Sequence, residues 1–300
     1  MWKQTDDALS FELAELRGQL WAVPEHSVCS YRVRSLEHVP SSTKLGVDTS
    51  AMGGLTLFRA LARNAYLTEL RATPADVTTD GDTAWVTWQP TLAHQAGVRV
   101  GYTPVEPNIV DLTIEVVGHA YYPDYEILFS HYTAPNFAAG CWVRTGEPHG
   151  GGAERIVPED APAYHGMYNF FPRDERTANL LTDGRGQRGR WYWRTAIGRR
   201  YALPLVFADS DAATQVAMGL PEDVSAVGLT YRGDDENDGV AGHHSMYLSL
   251  FGRDLHPGEA GRTKVRYVAT PVSDGSDHPN FYEEFASSCA DLQRSFQIVP

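Results

Sequence analysis

Cysteine is scarce in this chain, with three residues in 300, at positions 29, 141 and 289. Their odd number, wide separation and lack of a Cys-x-x-Cys pair exclude a disulfide framework or a zinc ribbon and fit buried reduced thiols. No apolar run approaches the roughly 18 residues that a membrane-crossing helix needs. The opening Met1-Trp2-Lys3-Gln4-Thr5-Asp6-Asp7 lacks the apolar core of a secretion signal. Positive charge is also in deficit, with 25 Lys and Arg against 38 Asp and Glu, a net of −13. That balance argues against nucleic acid or an anionic membrane as the main partner, because both repel an acidic surface. Gly-x-Ser-x-Gly, Walker and Rossmann signatures are absent, as are His-x-His and His-Glu-x-x-His spacings. The expectation is a cytoplasmic protein without cofactor or bound metal.

Apolar residues make up 42% of the chain and charged ones 21%, enough to bury a substantial core. Strand-like runs recur from Tyr31 onward between clusters of Gly, Pro, Asp and Asn. They include Thr83–Trp88, Gly97–Tyr102, Tyr125–Thr133, Cys141–Thr145, Gly189–Thr195, Val224–Tyr231 and Thr263–Thr270. The cleanest is Ile109–Val117, where Val110, Leu112, Ile114 and Val116 alternate with Asp111, Thr113 and Glu115. Leu55–Leu70 also reads as strand. Helix is sparse. Residues 6–20 suit a short amphipathic helix, and Phe281, Phe285, Cys289, Leu292 and Phe296 form one apolar helical stripe, with Asp277 as N-cap and Pro279 in the first turn. The fold class expected is all-β, a large antiparallel sandwich with short helices. Residues 1–300 would form a single domain, with a long loop insertion at about 146–189 and a C-terminal helix at about 278–297.

The stretch His243-His244-Ser245-Met246-Tyr247-Leu248-Ser249-Leu250-Phe251 is the most informative in the chain. At period two, His244, Met246, Leu248 and Leu250 share one face, and His243, Ser245, Tyr247 and Ser249 the other. The second face carries only uncharged hydrogen-bonding groups, which suits a groove for a hydroxyl-rich ligand.

Asn108–Val117, followed by Glu126-Ile127-Leu128-Phe129-Ser130-His131-Tyr132, and later Tyr247–Leu255 with Pro257-Gly258-Glu259, resembles the galactose-mutarotase-like (aldose 1-epimerase-like) β-supersandwich superfamily. The resemblance runs roughly from Leu45 to Thr270. It implies a β-supersandwich and a carbohydrate-related activity, since the superfamily includes aldose epimerases and sandwich domains of glycoside-processing and polysaccharide-lyase enzymes. Aldose epimerases use a histidine acid and a glutamate base, with a His-Pro-Tyr-Phe-like sequence at one histidine. Here Ser130-His131-Tyr132-Thr133 stands in that style of place without the proline, and no glutamate near the C-terminus matches the base.

The catalytic candidates are His131, His243 and Glu236. An imidazole titrates near neutrality and suits proton transfer. Glu236, within the acidic run Arg232–Gly239, is the one carboxylate to pair with it, and that run lacks the ligand order of a calcium-binding EF-hand loop. For substrate binding the candidates are Arg144, His165, Tyr168, Trp193 and Tyr247: a guanidinium to steady a carboxylate, groups from the long loop, an aromatic platform and a groove phenol. The partner expected is a sugar or oligosaccharide held in a concave sheet face. The chemistry would be anomer interconversion or β-elimination from an acidic sugar. A non-catalytic carbohydrate-binding sandwich and a structural sandwich with packed histidines are the alternatives.

Overall fold

Alternation of apolar and polar residues forces strands to bury one face, and the chain resolves this by stacking sheets. The structure, a computed structural model, describes residues 2–5, 8–21, 31–49, 52–146, 151–165, 168–185, 195–197, 199–230, 244–272, 275 and 277–289. Strands β1 (Lys3–Gln4), β2 (Ala8–Glu12), β3 (Leu16–Trp21), β4 (Arg32–His38) and β5 (Thr43–Lys44) form an antiparallel sheet in chain order. There follow β6 (Thr56–Ala62), β7 (Ala65–Thr68), β8 (Asp76–Asp80), β9 (Thr83–Trp88), β10 (Ala96–Val105), β11 (Ile109–Gly118), β12 (Tyr122–Tyr132) and β13 (Ala138–Thr145). After them come β14 (Gly152–Ile156), β15 (Tyr168–Pro172), β16 (Thr195–Ile197), β17 (Tyr201–Asp209), β18 (Thr214–Gly219), β19 (Val224–Thr230), β20 (Ser245–Leu255) and β21 (Ala260–Thr270). The helices are α1 (Glu175–Thr182) and α2 (His278–Ser288).

Strands β14-β13-β17-β18-β21-β11-β10-β9-β8 make a nine-stranded sheet, and β16-β15-β19-β20-β12-β6-β7 a seven-stranded one. Every pairing is antiparallel except β15 with β16. The expected all-β sandwich is what forms. Val110, Leu112, Ile114 and Val116 of β11 face inward, as do Ile127 and Phe129 of β12 and Met246, Leu248 and Leu250 of β20. All are fully buried, and each such side chain stabilises the fold by roughly 1.5–3 kcal/mol.

The outer face of the nine-stranded sheet is covered by α2. Phe285 and Cys289 pack on Leu205, Phe207, Val216, Met218 and Val268, with Phe281 half-buried beside them. The first turn is tied down by His278, whose ring stacks on Phe207 at 4.2 Å and whose Nε2 lies 3.2 Å from Asp209 Oδ1. Pro279 occupies that turn as expected, whereas the Asp277 side chain makes no capping hydrogen bond. Leu292 and Phe296 lie outside the described residues, as does Cys29.

Two expectations are corrected. Within residues 6–20 the described part is not helical but forms β2 and the start of β3, joined by a Leu13–Leu16 backbone turn. The stretch at 146–189 is not a plain loop, since it contains β14, β15 and α1. Helix α1 is started by a capping box in which Asp174 accepts from the Thr177 N–H and the Thr177 hydroxyl accepts from the Asp174 N–H.

Candidate functional site

The outer face of the seven-stranded sheet is built by strand register. Ser130 on β12 stands opposite Tyr247 on β20, which stands opposite Gly228 on β19 and then Phe170 on β15. The next row of that face runs Tyr132, Ser245, Thr230, Tyr168. Two neighbouring rows therefore hold six hydroxyl-bearing side chains, Ser130 included, on the four adjacent strands β12, β20, β19 and β15. Gly228 has a specific task, because a Cβ there would come within 2.6 Å of the Phe170 ring lying across it.

Tyr247 is the centre of this face. Its ring lies 6.0 Å from that of Tyr168, 6.3 Å from Phe170, and 6.4 Å from both Phe58 and Tyr132. Burial raises its pKa well above the usual phenol value, and the neighbouring Tyr132 and Tyr168 phenols add to that rise. It stays a neutral hydroxyl. Ser130 Oγ, Ser245 Oγ and Tyr247 OH are all fully buried, and among the described residues none forms a well-aligned hydrogen bond, although Tyr247 interacts with the Ser245 and Tyr132 hydroxyls. Buried hydroxyls are normally satisfied, so three on one face set it apart from the rest of the sheet.

Charge enters from β6 and the turn that follows β7. Strand β6 carries a β-bulge, since Phe129 pairs with Leu57 and Leu128 with Arg59. The extra residue, Phe58, lets Phe58 and Arg59 share the outer face. Arg59 lies 4.1 Å from the Phe58 ring centre and Arg71 4.0 Å. Arg71 donates from Nε to Glu69 Oε1 at 2.9 Å and from Nη1 to the Tyr132 hydroxyl at 3.2 Å. The Tyr66 hydroxyl donates to Glu69 Oε2 at 2.9 Å. At the other end of the face, Glu126 accepts from Ser225 (2.6 Å), Ser249 (2.7 Å) and Arg185 Nη1 (2.7 Å). The Arg185 and Glu126 side chains are 2% and 1% exposed, so this ion pair is fully enclosed and saturated.

The structure brings Tyr168 and Tyr247 together, although Tyr168 comes from a strand rather than a loop and neither phenol is open to solvent. Of the other candidates that are described, His131, Arg144 and His165, none lies beside them. His131 points to the opposite face of β12, between the two sheets, and is fully buried. Gln215 explains its state. The Gln215 amide nitrogen donates to Leu45 O at 3.0 Å, so its oxygen must face Tyr267 OH (2.7 Å) and His131 Nε2 (2.8 Å). An oxygen can only accept, and the proton therefore sits on Nε2. Burial pulls the imidazole pKa down to about 4, which keeps the ring neutral.

Arg144 lies on the outer face of the nine-stranded sheet, with Trp142, and donates from Nε to Tyr201 O at 3.1 Å. That is the far side of the molecule from Tyr247. His165 follows a short 3-10 turn, partly exposed, with Nε2 3.3 Å from Glu159 O. His243, Glu236 and Trp193 lie outside the described residues. The residues that sequence reading missed are Ser130, Tyr132, Thr230, Arg59 and Arg71. For the first two a signal existed, since they flank His131 at the parity opposite to Ile127 and Phe129. Among the described residues no three His, Cys, Asp or Glu side chains are grouped to hold a metal ion. No described helix is long and apolar enough to cross a membrane.

Comparison with known proteins gives no matching family model and no matching curated protein. Solved structures do match. A TPR-domain containing protein from Parabacteroides distasonis superposes with a TM-score of 0.52 at 13% identity, over 90% of this chain and 48% of that one. The chain thus spans about half the length of that protein. An aldose epimerase homologue from C. elegans superposes with a TM-score of 0.51 at 10% identity, over 89% of this chain and 100% of that one. Galactose 1-epimerase from Lactobacillus acidophilus follows with a TM-score of 0.49 at 10% identity, over 90% and 97% of the two chains. At these identities the likeness is one of architecture, and this chain has an all-β sandwich fold similar to that of the aldose epimerase homologue.

Proposed function

We propose that the protein binds a sugar or oligosaccharide on the outer face of the seven-stranded sheet, with acid–base chemistry at a sugar carbon as its activity. One observation supports the reading: the two rows of buried hydroxyls centred on Tyr247, where Ser130 Oγ has no well-aligned hydrogen bond among the described residues. Hydroxyls both donate and accept, so a paired array of them matches a polyol better than it matches an apolar or cationic ligand. The epimerase homologue that shares the architecture supports a carbohydrate as the ligand class. His243 and Glu236 are the proposed acid–base pair, for anomer interconversion or β-elimination.

Binding without catalysis is the second reading, and a specific observation favours it. Two described carboxylates of this face, Glu69 and Glu126, are both held by arginines. Reducing sugars and oligosaccharides should be screened by calorimetry together with polarimetry and ultraviolet detection of unsaturated products. Ser130→Ala with Ser245→Ala should weaken binding at unchanged melting temperature. His243→Ala with binding retained and turnover lost supports catalysis, whereas a native protein that binds sugars without converting any supports the second reading. Failure of every sugar to bind removes both.

A further inference from the structure

Where the β6–β7 turn, the start of β12, the end of β20 and helix α1 meet, the surface opens into a cleft of about 370 Å³ that shares no lining residue with the Tyr247 face. That volume lies within the roughly 300–1,000 Å³ common to small-molecule sites. Asp124 organises it. Its carboxylate, 5% exposed, accepts from Arg63 Nε at 2.7 Å and from Arg176 Nη2 at 2.8 Å. Its N–H donates to Asp254 Oδ1 at 2.9 Å, and its carbonyl accepts from Arg185 Nη1 at 2.7 Å. Asp254 in turn accepts with Oδ2 from the Tyr121 hydroxyl at 3.0 Å. Tyr121 thus stands anchored at the rim, 50% exposed, with the His256 ring 5.0 Å from its own.

The charges of the cleft balance. Arg63 and Arg176 lie against Asp124 and Asp254, and Asp183 is paired with Arg185 at 2.8 Å. Neither an anion nor a cation is favoured by such a lining, whereas hydrogen-bonding groups of both kinds are plentiful. The Arg63 and Arg176 side chains are 54% and 58% exposed, and a guanidinium carries five N–H donors, of which Asp124 takes only part. Asn64 and Asn179 are held through their backbones, by Asp183 Oδ2 and the Thr182 hydroxyl, and among the described residues their side-chain amides make no hydrogen bond. An amide both donates and accepts. Polar groups of this mixture beside a fixed, open aromatic ring suit a pyranose, whose hydroxyls pair with the amides and guanidinium groups while its C–H face covers the ring.

We propose that this cleft is a second carbohydrate site, taking an uncharged sugar residue with its ring on Tyr121 and its hydroxyls on Arg63, Arg176, Asn64 and Asn179. The ligand class is that of the reading above, but no residue is shared, so either site can fail without the other.

The test uses the full chain and neutral oligosaccharides of gluco-, galacto-, manno- and xylo-configuration, about two to six units long, with binding followed by calorimetry. At least one should bind, and Tyr121→Ala should weaken it roughly two- to tenfold, the scale of an aromatic contact. Asn179→Ala should weaken it by a similar factor, the scale of one hydrogen bond, at unchanged melting temperature. Tyr121→Phe, which keeps the ring, should retain most of the affinity. If Tyr121→Ala lowers the melting temperature, Asn179→Ala and Tyr121→Phe decide the matter. Loss of neutral-sugar binding in the Tyr121 and Asn179 variants, but not in Ser130→Ala with Ser245→Ala, supports this site and counts against the Tyr247 face. Loss in the serine variant alone overturns the inference and leaves the Tyr247 reading standing. Binding of acidic sugars only would likewise overturn it, and binding of no sugar of any kind removes both.

Discussion

Ser130 and His131 are adjacent on β12 yet have opposite fates, because successive side chains of a strand point to opposite faces. His131 shares its parity with Ile127 and Phe129 and is locked into the core by Gln215. His131→Ala should therefore act on stability, by about 2–5 kcal/mol through the cavity and the donor lost to Gln215. Urea denaturation measures this, and an unchanged midpoint would show that the ring is not part of the core. Tyr247→Phe is the converse case. Its hydroxyl makes no well-aligned bond among the described residues, so the variant should keep the aromatic cluster and shift stability by less than about 1 kcal/mol. Ligand binding should weaken. A large loss of stability in Tyr247→Phe would mean that the hydroxyl serves the fold. The polar face at Ser245, Tyr247 and Ser249 was legible from alternation alone. The inward position of His131 was equally legible, and attention to imidazole chemistry over parity is why it was read as a site residue.

At the scale of elements, period decides what a sequence reveals. Residues 8–21 place Leu9, Leu13, Leu16 and Leu20 at helical spacing, but Leu9, Phe11 and Leu13 also alternate at period two, and the strands win. Gly18 shows how: the Phe11 ring lies where its Cβ would be, at 2.9 Å, an approach only glycine permits. Strand β17 escaped notice because Pro204 interrupts it, and β18 because its run is buried on both faces and does not alternate. Helix α1 did leave a signal, the Asp174-x-x-Thr177 start, inside a stretch dominated by glycine and proline. Helix α2 was read from its stripe, and its packing leads to a prediction. Truncation after Pro271 would uncover Leu205, Phe207, Met218 and Val268, and should cost on the order of several kcal/mol of stability. Thermal unfolding checks it, and an unaltered melting temperature would show that α2 is not part of the cooperative unit. Leu248→Ala, in the centre of β20, should cost about 2–5 kcal/mol by leaving a cavity between the sheets.

For the molecule as a whole, the sandwich was legible because its strands alternate and are separated by turn residues at regular intervals. The placement of Arg59 and Arg71 beside Phe58 was not, since it depends on a bulge and on a turn distant in sequence, and neither has a periodic signature. The same burial that closes the core also makes stability depend on pH. His131 and His94 are both buried, and desolvation lowers both imidazole pKa values to about 4. His94 is held against Tyr125, with Nε2 2.9 Å from the phenol oxygen. The unfolded chain titrates its histidines near 6.5, so between that value and about 4 it binds protons that the native state refuses. Stability is then fully present above pH 6.5 and declines as pH falls toward 4, by roughly 1–2 kcal/mol per histidine at pH 5. A second loss follows at lower pH. Asp111, held by Arg266 and Lys264, and Asp209, held by His278 and Arg155, have depressed pKa values despite burial. Their contribution is present above the ordinary carboxylate range and disappears as they protonate. Urea midpoints at pH 7.5, 6 and 5, converted to free energies, should therefore fall on going down the series, at roughly constant slope against urea. Replacing His94 and His131 by Gln should lower stability at pH 7.5 but flatten the decline between pH 6.5 and 5. A native protein equally stable at pH 7.5 and 5 would mean that both rings accept protons in the folded state, and the picture of a closed core around them would have to be abandoned.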